Sequence, residues 1–340
     1  MDDILLQSPA STLLSHFTKG DNAKLILRSG NVRLQKLRGV NDPKEALSWP
    51  FKLFCYDSQS VPLSGITSMM HKIENFVLDH VFVTCFRHDT QDTPMSSDYH
   101  NMNNKSFCDT RMWNEYADKH KGVCLVFDKM KLEKMFFDTV ADAAFAGPVF
   151  YHNDFSGGTP NQHPYQHTIP NNAIPLHFQH CKDPFMINVE LLQSLGVDEV
   201  ITMHISYYYR QLLFQKNTFW KSENEYRLIL FQKNIMPYCD MPFHDSIKAV
   251  ILGDKGPNDD KNNIVNICMQ KNIPVYHHVP RGWRNHFILD EQFKNENSII
   301  LDSSFTIGFP YDTVFLRCMS SSGKDKIISV DTTGAVKLIE

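Results

Sequence analysis

Apolar residues recur along this chain at two periods, and the changes between them mark out its elements. Leu13 to Thr18 (LLSHFT) predicts a strand, and residues 22–27 predict a short helix capped by Asp21 or Asn22. Ser29 and Gly30 stop that helix before Val32 and Leu34 alternate as a second strand. Asn41, Asp42 and Pro43 mark a turn, with Asp42 as cap of a helix that begins at Pro43. His80 to Phe86 (HVFVTCF) is the next strand, followed by a polar loop from Arg87 to Lys105. Ser106 to His120 has the clearest helical spacing: Asp109 caps it, Met112, Trp113, Tyr116, Ala117 and His120 share a face, and Gly122 closes it. A strand at Val123 to Phe127 follows, then a helix at Lys129 to Phe137 with Met130, Leu132, Met135 and Phe136 inward. Met186 to Leu195 and Val197 to Phe214 predict helices. Ile247 to Gly253, Asn262 to Lys271 and Ile273 to Val279 predict a βαβ unit or an edge addition to the main sheet. The pattern breaks at Arg284, and Ser298 to Glu340 reads as short strands with turns at Gly308 to Pro310, Ser320 to Gly323 and Gly334.

One stretch departs from simple alternation. In Phe219 to Phe231 (FWKSENEYRLILF), a strand would place Glu223, Glu225 and Arg227 on one face and Tyr226, Leu228 and Leu230 on the other. Two carboxylates this close on a half-buried surface repel, so the pair needs a cation, a retained proton or a bound ligand. Arg227 and Lys221 are the cations nearest in sequence, and a solvated strand start neutralised by them competes with a functional site.

Composition narrows the function classes. The 340 residues are 42% hydrophobic and 12% aromatic, enough for one large or two ordinary globular domains. A net charge of −4 supplies no strong basic field for a nucleic-acid backbone, and there is no clustered Asp/Glu triad for two-metal nuclease chemistry. The eight cysteines contain no C-x-x-C pair and read as buried thiols in a reducing compartment. Cys85 and Cys124 lie in apolar runs, where a thiol is usually inert packing rather than a nucleophile. The start, MDDILLQSPAS, lacks a secretory signal, and no stretch reaches the ~20 apolar residues of a membrane span, so the expectation is a cytoplasmic protein. Phosphate-loop, dinucleotide, esterase-elbow and zinc-protease motifs are absent. His163 and His167 are four apart, but Pro164 between them argues for a loop with incidental histidines, and no metal site is read from the sequence.

Several stretches in order carry a resemblance: SGNVRL with NDP (Ser29 to Leu34, then Asn41 to Pro43), TCF (Thr84 to Phe86), MWNEYADKHKGVCLVFD (Met112 to Asp128), VFY (Val149 to Tyr151), K-x-x-x-W-x-x-E-x-E-Y-R (Lys216 to Arg227) and IKAVILG (Ile247 to Gly253). Over roughly residues 11 to 280 the chain resembles the bacterial domain-of-unknown-function 2971 family. It departs from that family's usual residues at Arg87, Glu115 and Ser222. The family's layout is in turn similar to that of the mono-ADP-ribosyltransferases. The resemblance implies an α+β fold over residues 1–283, with a mixed, split central β-sheet and flanking helices, and a small β-rich extension over residues 284–340.

That layout implies an enzyme that cleaves NAD and transfers ADP-ribose to a macromolecular or nucleotide acceptor, as a toxin or anti-phage defence effector. Glu225 would stabilise the oxocarbenium-like ribose, Glu223 would position or deprotonate the acceptor, and His16 would hold a ribose hydroxyl, with Phe17 and Thr18 beside it. Phe17, Phe86 or Tyr116 would stack on nicotinamide, and Arg33, Arg87 and Arg111 are candidates for the NAD diphosphate. Alternatives are an NAD glycohydrolase and a non-catalytic sensor that binds a nucleotide or a protein in the same cleft.

Overall fold

The computed structural model describes residues 12–40, 75–89, 105–140, 144–152, 199, 209–210, 213–232, 234, 236–281 and 284–293, and three strands between residues 313 and 338. The turn at Asn41 to Pro43, the helix read at Met186 to Leu195, most of the helix read at Val197 to Phe214, and the histidines from His163 to His180 lie outside the described residues.

The first strands form where alternation demands. Strand β1 (Leu13–Thr18) leads into helix α1 (Gly20–Ser29), which ends on Gly30 at φ 71°, and strand β2 (Asn31–Lys36) follows. The helix starts earlier than its Asp and Asn suggest, with Lys19 at the N-cap and no side-chain cap. Strand β3 spans Val81–His88. The predicted helix at 106–120 is shorter: Asp109 does cap it, accepting from Arg111 N and Met112 N, but helix α2 covers only Thr110–Glu115. Asp118, Lys119 and His120 then turn with φ of 46°, 54° and 69°, so the apolar spacing continues on a left-handed turn rather than a helix. Strand β4 (Val123–Asp128) and helix α3 (Lys129–Thr139) follow, the latter capped by Asp128. Leu132 and Phe136 face inward as predicted, whereas Met130 is 74% exposed.

Strands β5 (Ala144–Pro148), β6 (Phe150–His152) and β7 (Gln215–Asn217) precede a 3-10 helix at Thr218–Glu223. Strand β8 (Glu225–Phe231) and strand β9 (Cys239–Pro242) come next. Strand β10 (Ile247–Leu252), helix α4 (Asn258–Gln270) and strand β11 (Val275–Arg281) form the expected βαβ unit, with β10 and β11 parallel. Strand β12 (Arg284–Leu289) pairs antiparallel with β11, so the main sheet runs past the pattern break at Arg284. Further on, β13 (Thr313–Met319), β14 (Asp325–Asp331) and β15 (Val336–Leu338) form an antiparallel meander of their own.

Among the described residues the large sheet is mixed and has ten strands in the order β12-β11-β10-β4-β1-β3-β2-β9, with β8 paired to β3 and β5. Along one edge β3 changes partner: Arg87 and His88 pair with β1, while Phe82 and Val83 pair with β2. Thr84 to Phe86 lie between these two ladders. The sheet is therefore forked beside β3, and its other edge pairs with β8 throughout.

Period two divides the core. One face carries Leu14, Phe82, Phe86, Leu125, Phe127, Leu228 and Leu230, covered by Ala23 and Leu27 of α1, Leu132 and Phe136 of α3, and Ile264, Val265 and Cys268 of α4. The other carries Leu13, Phe17, Cys124, Val126, Ala249 and Ile251 beneath Phe107, Met112, Trp113 and Ala117. Among the described residues no helix is long and apolar enough to cross a membrane.

Candidate functional site

Strand β8 is buried along its whole length, yet it opens with Glu225 and Arg227. Charges in an interior strand contradict local sheet preference, and such contradictions concentrate at functional sites. Ser15 of β1, Arg87 of β3 and Glu225 of β8 stand opposite one another across successive ladders, so their side chains share the second face. Cys85 and Arg227 form the next rung.

Glu223 reaches the same place by a different route from the one its spacing suggests. It ends the 3-10 helix rather than sitting in the strand, and Asn224 at φ 44° makes the corner between them. Asn224 holds that corner by donating Nδ2–H to the His88 carbonyl at 2.8 Å. Both carboxylates are 4% exposed.

Lys216 resolves their repulsion. Its Nζ donates to Glu223 Oε2 at 3.0 Å and to Glu225 Oε2 at 2.7 Å. Arg227 Nε donates to Glu225 Oε1 at 2.7 Å, and its Nη1 to the Leu213 carbonyl at 2.7 Å. Tyr116 donates its hydroxyl to Glu223 Oε1, and the Glu225 amide donates to the Tyr151 hydroxyl at 2.9 Å. Two anions and two cations thus share one buried cluster. Burial would raise the Glu225 pKa, but Arg227 and Lys216 outweigh it and hold the carboxyl at about 2. The Cys85 thiol touches the same carboxylate, and burial followed by the charge of Glu225 pushes that thiol well above its ordinary value.

Arg87 lies 7% exposed beside this cluster. Its Nη2 donates to Asp109 Oδ2 at 2.7 Å, the same carboxylate that caps α2 through Oδ1. Nε and Nη1 are buried with no hydrogen-bond partner among the described residues. Unpartnered guanidinium donors are costly, and an anionic ligand would satisfy them.

The remaining predicted residues are placed variously. His16 is one residue from Ser15 and so belongs to the opposite face of β1 from Glu225. Its ring turns into the fork of the sheet, where Nδ1–H donates to the Cys85 carbonyl at 3.0 Å, and burial lowers its pKa. Phe17 packs edge-on against Trp113 at 5.3 Å, and Phe86 edge-on against Phe127 at 5.7 Å, both inside the core. Thr18 is buried opposite Val123 at the end of β1. Arg33 is 51% exposed on β2, bonded to Asp240 at 2.9 Å and stacked over Tyr238 at 3.5 Å, and makes no contact with the cluster. Arg111 donates to Glu115 Oε1 at 2.9 Å and to the Ser222 hydroxyl. Two of the three departures from the family pattern therefore meet on one arginine.

Of the two cations expected from the sequence, Arg227 does bind Glu225, but Lys221 is exposed and Lys216 takes its place. Lys216 opens the K-x-x-x-W-x-x-E-x-E-Y-R stretch, and its spacing was the available signal. Asp109 was legible as a helix cap and Tyr151 within the VFY stretch, but their contacts with Arg87 and Glu225 come only through long-range pairing.

No curated protein and no solved structure matches the chain. Residues 112–228 match the family model described as a protein of unknown function, DUF2971, a narrower span than the resemblance suggests, and it holds Tyr116, Tyr151, Lys216, Glu223, Glu225 and Arg227. That match is a similarity of this segment, 117 of the 340 residues, to the domain-of-unknown-function 2971 family.

Proposed function

We propose that the chain is an ADP-ribosyltransferase-like enzyme that cleaves NAD and passes ADP-ribose to a macromolecular or nucleotide acceptor. The observation that carries this reading is the ionised, buried Glu225 beside an arginine with two unsatisfied donors. A carboxylate fixed by Arg227 and Lys216 stabilises a developing oxocarbenium more than the neutral ribose, which is what lowers the barrier. The free Arg87 donors suit a phosphate oxygen pair. Glu223, sharing Lys216, would orient the acceptor, with Tyr116 fixing its rotamer.

A non-catalytic nucleotide sensor is the second reading. It is favoured by the charge balance of the cluster, which needs no substrate to neutralise it, and by His16, which sits on the opposite face from Glu225. Nicotinamide release from NAD, with and without cell lysate, separates the readings. The enzymatic reading expects release by the wild type, loss in a folded Glu225→Gln variant, and dependence on lysate if the acceptor is macromolecular. Release without lysate indicates the glycohydrolase, and no release in any condition contradicts catalysis.

A further inference from the structure

A second polar cluster lies at the carboxyl ends of the parallel pair β10 and β11. His120 ends the left-handed turn before β4, Asp254 follows β10, and His278 lies in β11. One ligand atom from each comes within 4.8 Å of the others. His120 Nδ1 and Asp254 Oδ1 are 3.5 Å apart. These two atoms and His278 Nδ1 are buried without hydrogen-bond partners among the described residues, and His278 is 1% exposed. The neighbouring His277 shows the contrast: its Nε2 meets Asp290 Oδ2 at 2.7 Å in an ordinary closed pair.

The orientation of His278 is fixed from outside the cluster. Asn285 donates Nδ2–H to the Cys108 carbonyl at 2.9 Å, which turns its Oδ1 to His278 Nε2 at 2.8 Å. His278 Nε2 must then carry the proton, leaving a bare lone pair on Nδ1. An outer hydrogen bond that sets the tautomer is the usual support of a metal-bound imidazole. Trp113 stacks on His278 with ring centroids 4.9 Å apart, and Phe287 stacks on it at 5.2 Å, so the ring cannot turn away.

We infer that His120, Asp254 and His278 form a binding site for a divalent transition-metal ion, zinc being the best match to two imidazoles and a carboxylate. Zinc takes such donors at about 2.0–2.2 Å, which asks the three to draw together by a small movement of the Asp254 turn. The backbone already brings the turns close: a Cβ on Gly253 would lie 2.1 Å from the His120 carbonyl, and the Lys255 amide donates to that carbonyl at 3.1 Å. Three protein ligands leave a coordination position for solvent or a further ligand. The site shares no residue with the carboxylate cluster. It does lock the turn that carries Tyr116, so metal would also steady the hydroxyl on Glu223.

The test is calorimetric titration of the chelator-treated full chain with zinc chloride, with thermal unfolding followed in parallel. The wild type should bind one equivalent with micromolar or tighter affinity and melt at a higher temperature when loaded. Asp254→Asn and His278→Gln, each checked for fold by circular dichroism, should abolish that equivalent, and Asn285→Ala should weaken it by about 10–100-fold. Absence of saturable binding by the wild type overturns the site, and so does binding that persists in a folded Asp254→Asn variant, which would assign the zinc to other histidines.

Discussion

Lys216 is the residue on which the carboxylate cluster turns. It is 8% exposed at its side chain and divides its charge between Glu223 and Glu225, so neither carboxylate faces the other uncompensated. Replacing it with methionine removes one buried cation and leaves a net negative pair, which should cost about 3–5 kcal/mol in denaturant unfolding. Combining Lys216→Met with Glu225→Gln removes one charge of each sign and should recover part of that loss, a coupling readable in a double-mutant cycle. The pH dependence follows from Glu225. Its pKa falls from 4.5 to about 2 on folding, so its stabilisation is fully present above 4.5 and is lost as pH falls towards 2. A shift of that size corresponds to roughly 3 kcal/mol. Acid titration of unfolding stability should show that loss between pH 4.5 and 2, and the slope over that window should be shallower in Glu225→Gln.

At the scale of elements, the segment from Asp109 to Gly122 joins the two polar clusters. Asp109 caps α2 and grips Arg87, Tyr116 reaches Glu223, and His120 reaches Asp254. The sequence displayed its apolar spacing but hid its shape: Trp113 and Ala117 are buried whether the backbone is helical or turns left-handed after Tyr116. Side-chain spacing reports which residues face a core, and it does not report the sign of φ. Gly122 and Gly253 were the legible trace of the turn, because a Cβ on Gly122 would lie 2.2 Å from the Thr18 carbonyl. Gly253→Ala should therefore lower unfolding stability by upward of about 2 kcal/mol, since the obstacle is backbone and cannot rotate away. Chemical denaturation checks this, and an unchanged midpoint would mean that the turns separate freely.

Across the whole molecule, the sequence conveyed what periodicity can convey. Strands β1, β2, β4 and β10 and the βαβ unit fall close to their predicted places because each carries a hydrophobic face that only one element type can bury. The joining of β12 to the main sheet was not legible, since Arg284–Leu289 is an edge strand of mixed polarity whose antiparallel pairing with β11 leaves no mark on its local pattern. The fork beside β3 was equally hidden, because partner exchange along one strand edge leaves no mark on local pattern. Glu223 and Glu225 were legible as a pair needing a cation, and so was Arg227 as a partner, whereas Lys216, the cation that joins the two, lies nine residues upstream of Glu225. Both functional readings require that a nucleotide be held beside this pair, so binding is the more direct test than turnover. Calorimetric titration with NAD of the wild type and of Arg87→Lys, which keeps the charge but loses the planar fork, measures it. The account predicts saturable binding to the wild type and affinity weakened by about tenfold or more in Arg87→Lys; no binding by the wild type, or affinity indifferent to Arg87, would contradict it.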